Sequence, residues 1–481
     1  MRVAVFSALP FFRVKGYYNL LKTKKKRFKS GLVIVLCLLI GVPLVGAVLI
    51  RMEGEAPQLE VDLVANSIGA LQTLPISVTD DKSGIRMLWV AIYKDGRETV
   101  LFQETLPSKG FARGGDQFTK SYNIVIEPAK AGLSDGKALL RVVARDHSWR
   151  HLGHGNKVYL EQEIVIDTIA PQINLVSHVH NISLGGAGLV LYRLSEACPV
   201  SGIVVGDRFY RGYSGPFADK TVHLAFMALA HDHAPDTEIY VKAVDSAGNT
   251  SHKGFHLYIK KRSFKKDVIR LSDGFFRRKL PEFQNVIPAD VGASPVDRFL
   301  YVNRDLRVLN YQAVGELVQK TDPEIYWRKA FTRLPGSAKQ AGFGDRRDYQ
   351  YQGKVIDRQV HLGIDLASTA HSPVPAGNRG KVVFADNLGI YGQSVVIDHG
   401  YGLFSMYAHL SSMAVAPGKI VEKGAIIGTT GRTGMAGGDH LHFSMLVHNT
   451  FVNPVEWWDL AWIRNNITSK IERAQANMPP G

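Results

Sequence analysis

The chain has 481 residues, a formal net charge of +15 and two cysteines. A chain of this length predicts about three domains rather than one. Cys37 lies inside an apolar N-terminal stretch and Cys198 lies well outside it, so we expect no internal disulfide. Part of the positive charge comes from a basic cluster that directly precedes the apolar stretch.

The apolar stretch, residues 31–50, carries no charge and consists mainly of Leu, Val and Ile. Twenty helical residues span about 30 Å, which is the thickness of the hydrocarbon core of a membrane. The run from Lys22 to Lys29 is rich in basic residues, which stay in the cytoplasm. We therefore predict a cytoplasmic N-terminus at 1–30 and a transmembrane helix at 31–50, with all later residues outside the inner membrane. Pro43 would kink this helix without preventing it from spanning.

A cleaved signal peptide is the alternative, because Val45, Gly46 and Ala47 offer a cleavage site. The apolar stretch is longer than a usual signal core, which favours a retained anchor. Outside the cytoplasm, basic stretches such as Lys260–Lys266 would meet lipid head groups or other anionic polymers, although a solvated surface is equally compatible. Nucleic acid is not expected as a partner.

Short strands separated by turn residues are indicated from about Pro57 to Arg262. Leu139–Asp146 resembles Ile239–Asp245, and a strand is predicted after each, at Tyr159–Ile166 and Gly254–Ile259. The repeat distance is near 100 residues, the size of an immunoglobulin-like sandwich. We predict a mainly β chain with two Ig-like β-sandwiches, at 57–168 and 169–262. A connector at 263–341 follows, with helical character in Tyr311–Lys320 and Pro323–Phe331.

Three later segments alternate between polar and apolar residues, as strands with one buried face do. Their polar rows hold histidines and one aspartate, and their apolar rows hold Leu, Ile, Val, Phe and Met. The polar rows are His361, Gly363 and Asp365, then Ser405, Tyr407 and His409, then His440, His442 and Ser444. This pattern predicts an antiparallel sheet that carries a site on its open face.

Histidine nitrogens and carboxylate oxygens are ligands of zinc, and a catalytic zinc needs three protein ligands and an open position. Four residues of straight strand span roughly 13 Å, whereas zinc ligands lie about 2 Å from the ion. His361 and Asp365 can therefore share one ion only if the chain bends between them, and Gly363 permits a bend. His440 and His442 are about 7 Å apart along a strand. Spacing alone therefore leaves open which is a ligand and which flanks the bound water.

The region from about Gly342 to Trp458 resembles the lysostaphin/LytM-type zinc metallopeptidases of bacterial cell walls. The resemblance covers about a quarter of the chain and rests on GFGDRR at 342–347, HLGID at 361–365, VVIDHG at 395–400, YAHL at 407–410, VEKG at 421–424, GRTG at 431–434 and HLHF at 440–443. It implies that His361, Asp365 and His442 bind Zn²⁺ and that His409 and His440 are the catalytic histidines.

One departure from the resemblance lies beside His440. Many relatives carry Thr-Gly-Pro there, whereas this chain has Gly437-Gly438-Asp439. The change could alter substrate choice or loop shape, and it removes no ligand. In relatives, segments before the catalytic domain can cover the active groove, so residues 263–341 could hold the enzyme inactive.

The implied chemistry is hydrolysis of a peptide bond. Zinc lowers the pKa of its bound water and polarises the scissile carbonyl. His409 and His440 would orient the water, take its proton, and stabilise the oxyanion or protonate the leaving amine. The chain has no His-Glu-x-x-His string, so the thermolysin-type arrangement is excluded.

We therefore predict a metallopeptidase domain at 342–460 and a C-terminal tail at 461–481, in a membrane-anchored zinc endopeptidase. Its partners would be peptidoglycan, whose cross-links or stem peptides it cuts, and the inner membrane. One alternative is an inactive domain that binds or activates other wall hydrolases, and another is a structural assembly protein. A glycine bridge and a D-Ala to diaminopimelate link both remain open as the scissile bond.

Overall fold

The computed structural model describes residues 20–110, 114–234 and 236–477. The chain folds into two compact units, which divide between Thr168 and Ile169. Both units are built mainly from β-strands, so the predicted mainly β fold class is confirmed.

Helix α1 runs from Leu20 to Arg51. Its segment Gly31–Arg51 is long and apolar enough to cross a membrane, by length and composition. Its apolar side chains, such as Leu39, are exposed, and a helix satisfies its own backbone hydrogen bonds, as a bilayer requires. The helix continues past Pro43, as predicted. Residues 1–19 of the predicted cytoplasmic segment lie outside the described residues.

Two sheets pack face to face in the described part of the first unit, and the short helix α2 (Arg150–Gly153) joins its last two strands. The strands are β1 Gln58–Val61, β2 Ser67–Ile68, β3 Gln72–Thr79, β4 Ile85–Lys94, β5 Arg97–Thr105, β6 Thr119–Ile126, β7 Gly136–Asp146 and β8 Lys157–Ile166. Their orders are β1-β3-β6 and β2-β8-β7-β4-β5. Inward residues such as Leu74 and Val142 form one core between the sheets.

The second unit begins with another pair of packed sheets. Its strands are β9 Ile173–Leu175, β10 Asn181–Ser183, β11 Ala187–Leu194, β12 Val200–Val205, β13 Arg208–Arg211, β14 Tyr213–Ser214, β15 Val222–Ala228, β16 Ile239–Val244, β17 Thr250–Gly254 and β18 Tyr258–Lys260. The orders are β14-β15-β11-β9 and β13-β12-β16-β17. The prediction of a single strand at Gly254–Ile259 is wrong. Strand β17, which pairs with β16, ends at Gly254, and a separate strand, β18, begins at Tyr258 and pairs with β10.

A matching pair of side chains accompanies the predicted repeat. Asn156 Nδ2 donates to Asp146 Oδ2 over 2.8 Å, and the Asn156 backbone N–H donates to Asp146 Oδ1 over 2.7 Å. Asn249 makes the same two bonds to Asp245, over 2.8 and 2.9 Å. One Asp–Asn arrangement therefore closes both the β7–β8 loop and the β16–β17 loop.

The rest of the second unit is organised around one long sheet. Its strands are β19 Lys266–Leu271, β20 Ala338–Ala341, β21 Arg346–Tyr351, β22 Lys354–Val360, β23 Ile364–Ala367, β24 Pro373–Pro375, β25 Gly380–Asn387, β26 Gln393–Asp398, β27 Leu403–Leu410, β28 Ser412–Met413, β29 Ile420–Val421, β30 Ile426–Thr429, β31 Leu441–Val447 and β32 Thr450–Val452. The long sheet has the order β20-β23-β31-β27-β26-β25-β29, with β32 beside β31, and two smaller sheets have the orders β19-β21-β22 and β24-β30-β28.

The antiparallel pairing predicted for the three histidine segments is confirmed, since β31 pairs with both β23 and β27. The prediction of an open polar face is wrong for most of β27. Ser405 and Tyr407 are buried, and the Tyr407 hydroxyl accepts a 2.6 Å hydrogen bond from the Gly377 backbone N–H. Other segments cover this part of the face, and a cavity opens where β27 reaches His409.

The connector supplies helices α3 Asp273–Lys279, α4 Pro295–Tyr301 and α5 Arg307–Leu317. The helical character predicted for Tyr311–Lys320 is confirmed as far as Leu317. The helical character predicted for Pro323–Phe331 is wrong. The backbone N–H groups of Tyr326 and Phe331 donate instead to the carbonyls of His399 and Trp457, so long-range bonds replace the helical ones.

The predicted C-terminal tail is helical. Helices α6 Pro454–Trp458, α7 Leu460–Ile463 and α8 Ser469–Ala476 follow the last strand. Ile463 and Ile467 are buried in the core of the second unit. Residues 478–481 lie outside the described residues.

A buried histidine makes the stability of the second unit pH-dependent. His399 is fully buried, with Nδ1 2.8 Å from the Arg379 carbonyl and Nε2 2.7 Å from Ser405 Oγ. Burial lowers the pKa of His399 to about 4, whereas an unfolded histidine titrates near 6.5. As the pH falls from about 6.5 to about 4, the unfolded chain binds a proton that the folded chain resists, and stability is lost.

We expect His399→Gln to be less stable than the native chain at pH 7, with the difference shrinking toward pH 4.5. Urea unfolding followed by tryptophan fluorescence measures this difference. His371→Gln is the matched control, because the His371 side chain is 71% exposed, and it should leave stability unchanged at both pH values. A His399→Gln difference that is independent of pH would contradict the prediction.

Candidate metal centre and active site

The register of the long sheet brings the predicted site residues together. Asp365 on β23 lies directly opposite His442 on β31. On the other side of β31, Ala408 lies opposite His442, so His409 follows immediately at the end of β27. His440 directly precedes β31 and forms an isolated bridge with Gly431.

His361 lies where the chain passes from one sheet to another. Strand β22 ends at Val360 and β23 begins at Ile364, and the chain bends at Gly363 as predicted. A Cβ atom on Gly363 would lie 2.5 Å from His442 Nε2 and 2.6 Å from Ser444 Oγ. Gly363 therefore allows the bend and also leaves room for the His442 ring.

Three side-chain atoms form a compact triangle at this point. His361 Nε2 lies 2.9 Å from Asp365 Oδ1 and 2.9 Å from His442 Nδ1, and His442 Nδ1 lies 3.0 Å from Asp365 Oδ1. All three residues are buried. Within the described residues this is one of the groups that could hold a metal ion.

Neighbouring groups fix which ring nitrogens in the triangle carry hydrogens. His361 Nδ1 donates to the Gly342 carbonyl over 2.8 Å, so neutral His361 has no hydrogen on Nε2. Ser444 Oγ donates to the Leu362 carbonyl and therefore accepts from His442 Nε2, over 3.0 Å. His442 Nδ1 is then also without a hydrogen. Two nitrogen lone pairs and a carboxylate oxygen thus face one another.

This donor set fits a zinc ion. Zinc in catalytic sites takes three protein ligands, for example two histidine nitrogens and a carboxylate oxygen, at about 2 Å each, which places neighbouring ligand atoms about 3 Å apart. Three lone pairs that face one another without a hydrogen repel, and a cation between them removes the repulsion. The outer hydrogen bonds of His361 and His442 are of the kind that orient metal-bound histidines.

His409 and His440 flank the triangle. Their ring centroids are 5.0 Å apart, and His440 Nε2 lies 3.5 Å from Asp365 Oδ1. His409 Nδ1 donates to the Thr433 carbonyl over 2.8 Å, and His440 Nδ1 donates to the Gly438 carbonyl over 2.9 Å. Each ring therefore keeps Nε2 for a molecule in the cavity.

The backbone at His409 is unusual for a residue with a side chain. Its φ is +63°, in the left-handed region where L-residues are strained. The strained residue lies near the end of β27, where the His409 ring lines the cavity. Such outliers cluster at functional sites.

The site histidines have different proton affinities. Burial, together with the nearby His440 and His442, lowers the pKa of His409 well below its usual value. Burial also opposes the charged form of His440, yet the nearby Asp365 carboxylate raises the pKa of His440 overall. Burial alone would raise the pKa of Asp365, but the surrounding histidines hold it well below its usual value.

Arg347 fixes the other oxygen of the central carboxylate. Its Nη2 donates to Asp365 Oδ2 over 2.8 Å, in a contact that is mostly buried. The paired charges hold Asp365 with Oδ1 in the triangle. Arg347 belongs to the GFGDRR motif. The motif contributes to the family resemblance, but no role was predicted for any of its residues.

The connector supports the loop that orients His409. Gly434 donates its backbone N–H to Glu282 Oε2 over 2.9 Å, and Lys279 Nζ donates to the Arg432 carbonyl. This loop carries the Thr433 carbonyl that binds His409.

All five predicted site residues line one cavity of about 240 Å³. Residues from the connector form part of its wall, namely Ile269 on β19, Phe275 on α3 and Arg307 on α5. The sequence pattern did not associate these three residues with the site.

Asp439, in the segment beside His440 where this chain lacks the Thr-Gly-Pro of many relatives, has a structural role. Asp439 Oδ1 accepts a 2.6 Å hydrogen bond from Thr430 Oγ1, and Oδ2 accepts from the His371 backbone N–H over 3.3 Å. Asp439 therefore ties the loop before His440 to the segment at His371. His371 is exposed and His399 is buried, and neither joins the site.

Three donor atoms that could hold a metal ion lie beside two further histidines in one cavity, and residues 359–454 match the family described as Peptidase family M23. The chain thus carries an M23 peptidase domain of the LytM/lysostaphin type. The DD-carboxypeptidase/endopeptidase Mpg of Neisseria meningitidis is 40% identical over 97 residues, 20% of this chain and 22% of Mpg. The peptidoglycan DD-endopeptidase ShyA of Vibrio cholerae is 31% identical over 169 residues, 34% of this chain and 38% of ShyA.

The matches therefore span well under half the length of these relatives. Among solved structures, the catalytic domain of lysostaphin from Staphylococcus simulans is 28% identical, with 27% of this chain and 98% of that chain covered and a TM-score of 0.23. The catalytic domain of a mutant of the prophage-encoded M23 protein EnpA from Enterococcus faecalis is 27% identical, with 26% and 95% covered and a TM-score of 0.22.

We expect Gly363→Ala to weaken metal binding by about tenfold or more, because the added methyl would displace the His442 ring. Zn²⁺ titration against a competing chelator measures the affinity, and far-UV circular dichroism checks the fold. Gly437→Ala is the matched control, since Gly437 lines the same cavity and its Cβ would meet open space. Equal Zn²⁺ affinity in the two variants would contradict the prediction.

We expect Arg347→Gln to lower the Zn²⁺ affinity about 10- to 100-fold, because outer partners that orient metal ligands have effects of this size. The same chelator competition measures it. Arg346→Gln changes the exposed neighbour on the same strand and should bind Zn²⁺ like the native chain. An unchanged affinity in Arg347→Gln would show that Asp365 needs no such partner.

Proposed function

We propose that this protein is a membrane-anchored zinc metalloendopeptidase that hydrolyses peptide bonds in the cross-links or stem peptides of peptidoglycan. The observation that carries the proposal is the triangle of hydrogen-free donor atoms beside His409 and His440, in one cavity of an M23 peptidase domain. The names of Mpg and ShyA support peptidoglycan peptides as the substrate class.

His361, Asp365 and His442 would hold the ion. Bound zinc supplies a Lewis acid and a water molecule of lowered pKa. The chain's own residues then position the reacting groups. Asp365 is held by Arg347, and both flanking histidines keep Nε2 toward the cavity.

His409 and His440 would handle the protons of the reaction. At Nε2 each ring can orient the attacking water, take up its proton, and later return a proton to the leaving amine. A ring that carries a proton can also stabilise the oxyanion. The hydrogen bonds at Nδ1 keep both rings in place while the proton on Nε2 comes and goes.

Helix α1 would hold the protein in the inner membrane, with the later residues in the periplasm. The apolar segment Gly31–Arg51 and the basic run before it support this orientation. The two packed sheet pairs at 57–168 and 169–262 would be Ig-like modules that carry the catalytic domain from the membrane toward the wall.

The alternative of an inactive domain is less well supported. Such a domain would be expected to lack one or more of the five site residues. Here all five are present and line the same cavity. A bond of the DD type is favoured over a glycine bridge by the names of the relatives.

We expect His409→Ala to abolish release of soluble muropeptides from purified peptidoglycan while zinc remains bound, because His409 is not one of the three donors. The full-length protein in detergent, mass spectrometry of the released fragments and elemental analysis of zinc provide the measurements. The exposed His371→Ala is the matched control and should retain full activity.

Native protein that contains zinc but releases nothing from peptidoglycan would contradict the enzymatic proposal and favour a binding or activating role. Release by His409→Ala at the native rate would contradict the role of this histidine alone.

A further inference from the structure

The cavity that holds the candidate metal centre contains a positive charge that the site does not use. Two arginines and one carboxylate line it. Arg347 is paired with that carboxylate, Asp365. Arg307, at the start of α5, forms no ion pair with any carboxylate in the described part of the chain. An arginine without an anionic partner can offer charge-assisted hydrogen bonds to an anionic ligand.

The guanidinium of Arg307 is held rigidly. Its Nε donates to the Asn303 carbonyl over 3.0 Å, and its Nη2 donates to Asn303 Oδ1 over 2.6 Å. Asn303 is fully buried and donates through Nδ2 to Asp357 Oδ2 over 2.7 Å. The planar guanidinium group of Arg307 is thus fixed before any ligand binds, which reduces the entropy lost on binding.

The nearby carboxylate of Asp357 does not compete for Arg307. Its Oδ1 accepts from Arg304 Nε over 2.8 Å. Its Oδ2 accepts from Asn303 and from Gln359 Nε2. Asp357 is therefore paired with Arg304, and it acts on Arg307 only by orienting Asn303.

The size of the cavity limits where the anion can be. A compact cavity of about 240 Å³ is about 8 Å across, which is the length of roughly two extended residues. Arg307 and the catalytic histidines line this same space. An anion bound by Arg307 would then lie on a residue close to the scissile bond.

Peptide links of the DD type carry such an anion. In both D-Ala–D-Ala and the D-Ala to diaminopimelate cross-link, the scissile nitrogen is attached to a carbon that also bears a free carboxylate. A glycine bridge has no carboxylate at that position. An arginine that binds this carboxylate would therefore favour links of the DD type over a glycine bridge.

We propose that Arg307 binds the free carboxylate on the amine side of the scissile peptide bond and so selects links of the DD type. This assignment rests on the proposed function, because it takes the cavity to be the peptidase site. Arg307 lies on the connector, outside the region that matches the M23 family. It is a specificity residue supplied by the segment that precedes the peptidase domain.

The test compares two synthetic D-Ala to diaminopimelate cross-linked peptides, one with that carboxylate free and one with it amidated. The full-length native protein should cleave the free acid with a kcat/KM at least about tenfold higher, since a charge-assisted pair is lost in the amide. In Arg307→Gln the two peptides should differ by less than about threefold, and Arg307→Lys should keep part of the preference. Arg298→Gln, an exposed arginine on the neighbouring helix α4, should behave like the native chain.

A binding measurement separates this inference from the proposed activity. In a His409→Ala background, calorimetry should show the same preference for the free acid, and Arg307→Gln should remove it. A native chain that binds and cleaves both peptides equally would overturn the inference, as would an Arg307→Gln variant that loses both peptides in equal proportion. If no variant cleaves either peptide but the Arg307-dependent binding preference remains, the proposed activity fails and the carboxylate site stands.

Discussion

The candidate site depends on one electrostatic constraint, which is that three donor atoms without hydrogens, His361 Nε2, His442 Nδ1 and Asp365 Oδ1, lie about 3 Å from one another. Without a cation this arrangement is repulsive, and the surrounding groups enforce it. The Gly342 carbonyl fixes one imidazole, Ser444 fixes the other, and Arg347 neutralises the far oxygen of the carboxylate. Each of these partners belongs to a different segment, so the fold as a whole brings the three donor atoms together.

The same constraint extends outward through the loop at 431–434. That loop orients His409, and the connector fixes the loop through Glu282 and Lys279. The position of the His409 ring therefore depends on residues that lie well before His361 in the chain. Strand β19 of the connector even joins the same sheet as β21 and β22.

Alternation of polar and apolar residues was sufficient to predict the antiparallel strands, and the reach of a metal ligand was sufficient to predict the bend at Gly363. Spacing could not separate His440 from His442, because the difference lies in the outer partners: Ser444 directs His442 Nδ1 into the triangle, while His440 Nε2 stays 3.5 Å from Asp365. The helix expected near Phe331 failed because its backbone bonds go to distant segments. No sequence pattern around Arg307 predicts a role for it, because the role follows only from its place in the cavity wall.

The region that matches the M23 family, 359–454, contains the three donors and both flanking histidines, whereas part of the cavity wall lies on the connector. The donor atoms and one part of the cavity wall are therefore encoded in different stretches of the chain. Changes in the connector can reshape the cavity while every donor stays in place, and a fragment beginning at 342 would keep the donors but lose that wall. Under the proposed function, substitutions in the connector would change which peptides the cavity accepts and leave the three donors in place.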